Sequence, residues 1–366
     1  MQTLLHLREY TRILKRELPE EVFKPVPSRL LWLIPHLAVI GFGIAAIAAL
    51  EQNTWAKLAI GILIGHSFAC LGFLGHEVLH GSVVRAPWLR DAVGAICFAP
   101  FFLGPKLWRK WHNVEHHGHT QSDDEDPDAM GTLEDFRERK SLQLLYRIAP
   151  VLRSFFTFAA FSVWFSFHSF MMLLRFAPEF PARERRVVTA QFLLPASGAV
   201  LLAAWLRGDF LYAFVLPLLV ANFIVMSYIA TNHLLNPLTP TNDPLANSLT
   251  VTVPRWVDTL HFHFSHHTEH HIFPAVNPKY APQIKAAVKR LWPERYNEMP
   301  HWKALLTLWR TPRLYRDNTS LIDPVRELTY PVLGHGLSPD RVVAQRRPLS
   351  LSDGQQSPSR PPADST

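Results

Sequence analysis

Charge is scarce in this chain. Asp, Glu, Lys and Arg make up 18% of 366 residues, against about a quarter in soluble domains. The shortage is concentrated in several windows of some 20 residues that carry almost no charge, which a soluble domain rarely needs and a membrane-spanning protein does. Cysteine is nearly absent: Cys70 and Cys97 both sit in apolar surroundings, which excludes a disulfide framework and a cysteine-built metal site. The first 29 residues are charged and have no apolar stretch ahead of a cleavage site, so no removable signal peptide is expected. The net charge of +7 fits the cytoplasmic face of a membrane protein better than a nucleic-acid surface. Histidine is the abundant exception, with 19 copies, many of them clustered.

Segment 30–50 has no charged residue, and at ~1.5 Å per residue it covers a ~30 Å hydrocarbon core. Segments 58–75, 154–174, 187–206 and 210–235 are also apolar, whereas 92–105 is too short to span and reads as interfacial or re-entrant. Gly61 and Gly65 stand four apart in the second segment, a spacing that lets another helix approach closely. Six basic residues (Arg8, Arg12, Lys15, Arg16, Lys24, Arg29) precede the first span and only Lys57 lies in the turn at 51–57. The positive-inside rule then puts the N-terminus in the cytoplasm and that turn outside. Residues 106–153 and the loop 175–186, with Arg175, Arg183, Arg185 and Arg186, also belong inside. Segment 154–174 therefore begins and ends on one side and reads as an in-plane or re-entrant helix. Residues 207–209 become a tight external turn.

The expected fold is all-α: a polytopic membrane protein with four transmembrane helices in two hairpins and a cytoplasmic helical cap holding a His-rich di-metal site. The expected organisation is a cytoplasmic N-terminal segment at 1–29, a membrane domain at 30–332 and a Pro-, Ser-, Gln- and Arg-rich disordered tail at 333–366.

The histidines fall into three groups. His76 and His80 follow the second span at i, i+4, on one face of a continuing helix. His112 and His116 repeat the spacing, with His117 beside them and Gly118 as a helix terminator. His267 and His271 repeat it again, with His270 between and Pro274 stopping the helix. A lone H-x-x-x-H arises by chance roughly once in a chain this rich in histidine, and each longer pattern at roughly one in twenty. All three on one membrane face set the constellation apart from scattered surface histidines.

Eight imidazoles exceed the needs of one metal, since a structural zinc takes four ligands and a catalytic zinc three. They divide into about four for each of two ions. Imidazole suits iron, zinc, copper and nickel alike. A site at the membrane face, fed by apolar helices, meets lipid C–H bonds, and breaking these needs a redox metal and O₂. The reading is a non-haem di-iron, oxygen-activating centre.

These boxes, H-E-V-L-H at 76–80, H-N-V-E-H-H at 112–117 and H-T-E-H-H at 267–271, resemble those of the integral-membrane fatty acid desaturase superfamily. The resemblance covers roughly residues 30–300. The third box is similar to the versions in acyl-lipid and sphingolipid desaturases. The resemblance implies two iron ions, O₂, and electrons from a separate ferredoxin or cytochrome b5-type carrier. It also implies His233, at the end of the last span, as a ninth ligand, and a supporting role for Asp126 or Asp128 in the acidic stretch after box two. Box one has three residues between its histidines, one fewer than in many acyl-CoA desaturases, and no H-P-G-G cytochrome motif occurs. An acyl chain on a membrane lipid is therefore the expected substrate.

Glu77, Glu115 and Glu269 lie inside the boxes, as residues that orient ligand histidines or as a solvated helix face. His119, His261, His263 and His266 flank the boxes outside the ligand register. His66 and His168 read as buried polar residues, and His36 as a companion of the kink at Pro35. On the second span, Ala69, Gly72 and Phe73 share the face of His76, two of them small enough to leave room for a chain. Lys106, Arg109, Lys110 and the basic residues of 279–316 form an expected docking face for an acidic carrier.

Two other functions compete. A di-iron hydroxylase or ketolase acting on an alkane, sterol or carotenoid would use the same centre. A metal transporter would place its ligands near mid-membrane, whereas these lie at or beyond the span ends. With no K-D-E-L-like signal and no fused carrier, a bacterial cytoplasmic membrane is the expected location, with the endoplasmic reticulum as the alternative.

Overall fold

Uncharged runs can satisfy their backbone polar groups in lipid only by helix formation, and each becomes a long helix. The computed structural model describes residues 3–347. Its principal helices are α1 (Leu7–Glu17), α2 (Leu33–Ala49), α3 (Thr54–Leu79), α4 (Pro87–Phe98), α5 (Pro150–Phe176), α6 (Ala182–Leu206), α7 (Leu216–His233), α8 (Arg255–Leu260), α9 (His267–Ile272), α10 (Ala281–Leu291) and α11 (His301–Arg310). Five stretches among the described residues are long and apolar enough to cross a membrane: Pro27–Ala49, Thr54–Leu79, Pro150–Glu179, Ala182–Asp209 and Leu211–His233. The sequence reading allowed four, treating the third as in-plane.

The central pair is α3 against α7. A Cβ at Gly61 would stand 2.6 Å from the Tyr212 carbonyl oxygen, and one at Gly65 2.7 Å from that of Pro217. The two glycines thus permit backbone-to-backbone approach, as their spacing suggested. Around this pair, α2, α6 and the outer face of α5 expose Phe42, Leu194, Val200, Leu201, Phe155 and Trp164, the apolar surface that lipid would cover. Lys57 and Asp209 pair at 2.5 Å, joining the first turn of α3 to the turn after α6.

Helix α5 meets the box-bearing part of the molecule repeatedly. Arg153, in its first turn, pairs with Asp323 at 2.8 Å, and Ser154 donates to the Trp309 carbonyl at 2.7 Å. His168 lies 2.9 Å from Asp128, and Glu179, just past its end, pairs with Lys110 at 2.9 Å.

The remainder packs into smaller clusters around the box-bearing segments. Tyr10 and Leu14 of α1 pack with Ile272, Ile284 and Val288 in an apolar cluster separate from the helical core. The molecule is mostly helical, as expected, but this part adds a few short strands. Strands β1 (Thr250–Thr252) and β2 (Glu298–Pro300) pair in parallel. Strands β3 (Tyr315–Asp317), β4 (Ser320–Asp323), β5 (Leu328–Pro331) and β6 (Gln345–Arg346) form an antiparallel sheet. The β-strand signals are short runs that periodicity does not detect. Packing also continues past the boundary expected at 333: Leu333 and Leu337 are buried, and Arg346 pairs with Leu328. The rest of the expected tail, 348–366, lies outside the described residues.

Candidate metal centre

Box one closes α3, with His76 in its last turn and His80 as its C-cap. Box two is not α-helical. After the short turn Pro105–Trp108 the backbone runs as a π-helix over Arg109–His116. Register there follows i, i+5 rather than i, i+4, so His112 faces His117 across 3.2 Å between Nε2 atoms, and His116 turns elsewhere. Box three lies on α9, and His233 ends α7.

All nine candidate histidines converge, in two groups. His76, His80, His112, His117 and His270 form the first; His116, His233, His267 and His271 form the second. In the first, Nε2 of His112 lies 3.1 Å from that of His76, and Nε2 of His270 lies 3.0 Å from that of His117. In the second, His267 Nε2 lies 2.7 Å from His233 Nε2 and 3.0 Å from His271 Nε2. A metal bonded to imidazoles at about 2.1 Å sets neighbouring donors about 3 Å apart at right angles. The Nε2 atom of His80 is buried with no hydrogen-bond partner among the described residues, a state that a metal bond would relieve. These donors fit a pair of transition-metal ions.

The other ring nitrogens are held from outside. His116 Nδ1 lies 3.0 Å from Asp126 Oδ1, His271 Nδ1 3.3 Å from Thr120 Oγ1, and His233 Nδ1 3.2 Å from the Asn247 carbonyl. Such contacts fix the tautomer and turn Nε2 inward. Burial, reinforced by neighbouring rings, pushes His112, His117, His267, His270 and His271 well below the ordinary imidazole range, so they are neutral and able to ligate. For His116, burial also lowers the pKa, but Asp126 and then Asp128 outweigh it and lift the ring to about 9.

The acidic stretch thus supplies Asp126 as a direct partner of a box histidine. Asp128 accepts from Trp111 Nε1 at 2.8 Å and lies 2.9 Å from His168 Nε2. Sequence reasoning missed this role of Trp111 and His168, because the acidic stretch meets α5 across 40 residues and Trp111 across 17. The box glutamates follow neither reading closely: Glu77 and Glu269 are buried, and their partners are not ligand histidines. Glu77 binds Asn277 at 2.9 Å and pairs with Arg29. Glu115 pairs with Lys110, and Glu269 accepts from Thr250 and Tyr296. Glu77 and Glu269 tie other segments to the boxes, whereas the Glu115 pair lies within the π-helix.

A narrow, partly open cleft lined mostly by apolar side chains reaches the histidines. Gly72, Phe73, Phe165, Val225, Ile229 and Phe264 form its walls, with His76, His112, His116, His233 and His267 at the end. Ala69, one turn before Phe73, is fully buried and does not line it. The cleft is thus lined by members of both histidine groups.

Comparison with known proteins agrees with this construction. The fatty acid desaturase profile matches residues 53–303. The chain belongs to the fatty acid desaturase family. As a desaturase it is a multi-pass membrane oxidoreductase acting on acyl lipids. The sn-1 oleoyl-lipid 12-desaturase of Synechocystis is 24% identical, over 82% of this chain and 87% of its own. The chloroplastic omega-6 desaturase of Spinacia oleracea is also 24% identical, over 81% of this chain and 68% of its own. The sn-1 acyl-lipid omega-3 desaturase (ferredoxin) of Nostoc is 30% identical, but over only 31% of each chain.

Proposed function

We propose that this desaturase introduces a cis double bond, with O₂, into an acyl chain carried by a membrane lipid. The observation that carries the reading is the apolar cleft ending on two groups of buried histidines. Two iron ions would be held, one by His76, His80, His112, His117 and His270, the other by His116, His233, His267 and His271. When bound, the iron pair supplies O₂ activation and the power to break an unactivated C–H bond. The chain's own residues do the rest. Phe73, Phe165 and Phe264 exclude water and hold the acyl chain against the histidines, and Gly72 leaves it room. Asp126 keeps the proton on His116 Nδ1, and Thr120 and the Asn247 carbonyl fix the neighbouring rings. Expression in a host followed by lipid analysis, with double bonds located by mass spectrometry, tests the reading. Unsaturated product supports it, and hydroxylated or keto-bearing product without unsaturation overturns it.

The same reading has four spans, with α5 lying along the cap. Its support is the sequence of α5 contacts: Asp323, Asp128 and Lys110 all belong to the parts assigned to the box-bearing side, although they meet α5 near its start, past its middle and beyond its end. The Lys57–Asp209 pair supports placing the two short turns together on the opposite side. A bacterial cytoplasmic membrane is the proposed location.

Electrons would come from a separate carrier, and the Nostoc relative's name specifies ferredoxin. The expected basic docking face is partly neutralised: Lys106 pairs with Glu184, Arg109 with Asp91, and Lys110 with Glu115 and Glu179. Docking would rest on the net positive charge of this side more than on those three residues.

A further inference from the structure

We propose that His66, Cys70 and His261 hold a third metal ion, of the class that binds thiolate and imidazole together, namely Zn²⁺ or copper. The site shares no ligand with the nine-histidine centre.

His66 and Cys70 stand at i, i+4 on one face of α3. His261 reaches them from the segment after α8, where Phe262 and His263 both have positive φ, 58° and 59°. Two consecutive left-handed residues that are not glycine are unfavourable and persist only where surrounding structure holds them. The three donor atoms lie within 4.8 Å of one another. His66 Nε2 is 3.2 Å from His261 Nε2 and 3.8 Å from Cys70 Sγ. An ion with nitrogen at about 2.0 Å and sulfur at about 2.3 Å in tetrahedral geometry separates its donors by about 3.3–3.6 Å, so small side-chain shifts would close the site. The second nitrogen of His261 is already engaged: Nδ1 lies 2.9 Å from the Tyr228 hydroxyl, which leaves Nε2 free to ligate, the arrangement usual around bound metals.

The mixed donor set selects the metal class. Thiolate favours zinc and copper over the hard oxygen-seeking ions, and two imidazoles suit both. One cysteine is too few for a cysteine-built site but completes one with two histidines, a combination that sequence spacing does not reveal because His261 is 191 positions from Cys70. The ion would tie the segment carrying Phe264 to α3. The Phe264 ring lies 5.1 Å from that of His76 and lines the cleft. The same side chains could instead form a metal-free hydrogen-bonded chain, with Cys70 donating to the Leu260 carbonyl at 3.4 Å.

Full-length protein purified from cells grown with cobalt separates these arrangements. The nine-histidine centre contains no sulfur, so thiolate-to-cobalt charge-transfer absorption can arise only from a cysteine site. The expected result is such a band in the wild type and in Cys97→Ser, its loss in Cys70→Ser, and a metal content lower by one ion per chain in that variant. Elemental analysis of protein from zinc- and copper-supplemented cells then identifies which ion is retained. Absence of the band in the wild type, or its survival in Cys70→Ser, overturns the proposal. If Cys70→Ser is not recovered folded, His66→Gln decides: a lost or shifted band supports the site, and an unchanged one rejects it.

Discussion

His112 and His117 face each other at 3.2 Å across a single π-helical turn, while His116, adjacent to His117, belongs to the other group of imidazoles. One short segment thereby serves two metal positions. His270→Ala should therefore weaken the first position and His116→Ala the second. Elemental analysis should find about two irons per chain in the wild type and about one in each variant, both inactive, because losing a ligand leaves a shell that its neighbours cannot complete. Iron unchanged in both variants would end the two-group assignment.

Asp126→Asn should lower iron affinity about 10- to 100-fold, the usual effect of losing a residue that orients a ligand, with His116 still present. The metal-free proteins provide a second readout. The folded pKa of His116 lies above its ordinary value of about 6.5, at about 9. The pairing therefore stabilises the metal-free fold fully below about 6.5, and the contribution disappears as pH rises through about 9. Thermal unfolding of metal-free wild type should show this decline, and Asp126→Asn should show a smaller one, since Asp128 still faces the ring.

The ion pair between Lys57, which is nearly buried, and Asp209 predicts that both turns emerge on the same side. In a background without Cys70 and Cys97, cysteines at Asn53 and Gly208 should label from outside, and a cysteine at Phe180 should not. Lys57→Met should leave Asp209 unpaired and lower the unfolding temperature in detergent. Removing one partner of a buried pair costs about 3–5 kcal/mol, and this one should cost less because Asp209 is partly exposed. External labelling at position 180 would show that α5 crosses.

A Cβ at Gly72 would stand 3.1 Å from the Phe101 ring, and Val225 faces the same cleft. Gly72→Trp and Val225→Phe should each shift chain-length or double-bond position preference by narrowing the cleft, with an overpacking cost of about 1–3 kcal/mol. Product analysis by mass spectrometry gives the comparison. Identical product patterns in both variants would mean that the acyl chain takes another path.

The sequence contains neither a cytochrome b5 motif nor G-x-G-x-x-G, so purified protein should not turn over with NADPH alone and should do so when a reduced ferredoxin is added. The carrier's apparent affinity should fall as salt rises, since exposed charges are screened within ~8 Å at physiological ionic strength. Turnover with NADPH and no carrier would refute the separate supply.

The sequence alone determined the chemistry and the long helices. Hydrocarbon leaves a backbone few options, so the uncharged runs had to be helical, and Gly61 and Gly65 already marked where two of them would meet. The eight box histidines were visible because their spacing is local, and His233 only through the family resemblance. What only the tertiary structure decided was how they are shared. The i, i+4 pattern could not reveal the π-helix that groups His112 with His117, nor the crossing of segments that takes His116 to His233 and His270 to His76. The small strands, the Asp128–His168 contact and the meeting of Cys70 with His261 likewise depend on approaches between distant parts of the chain. Such contacts are set by how whole helices pack, and no short window of sequence contains that information.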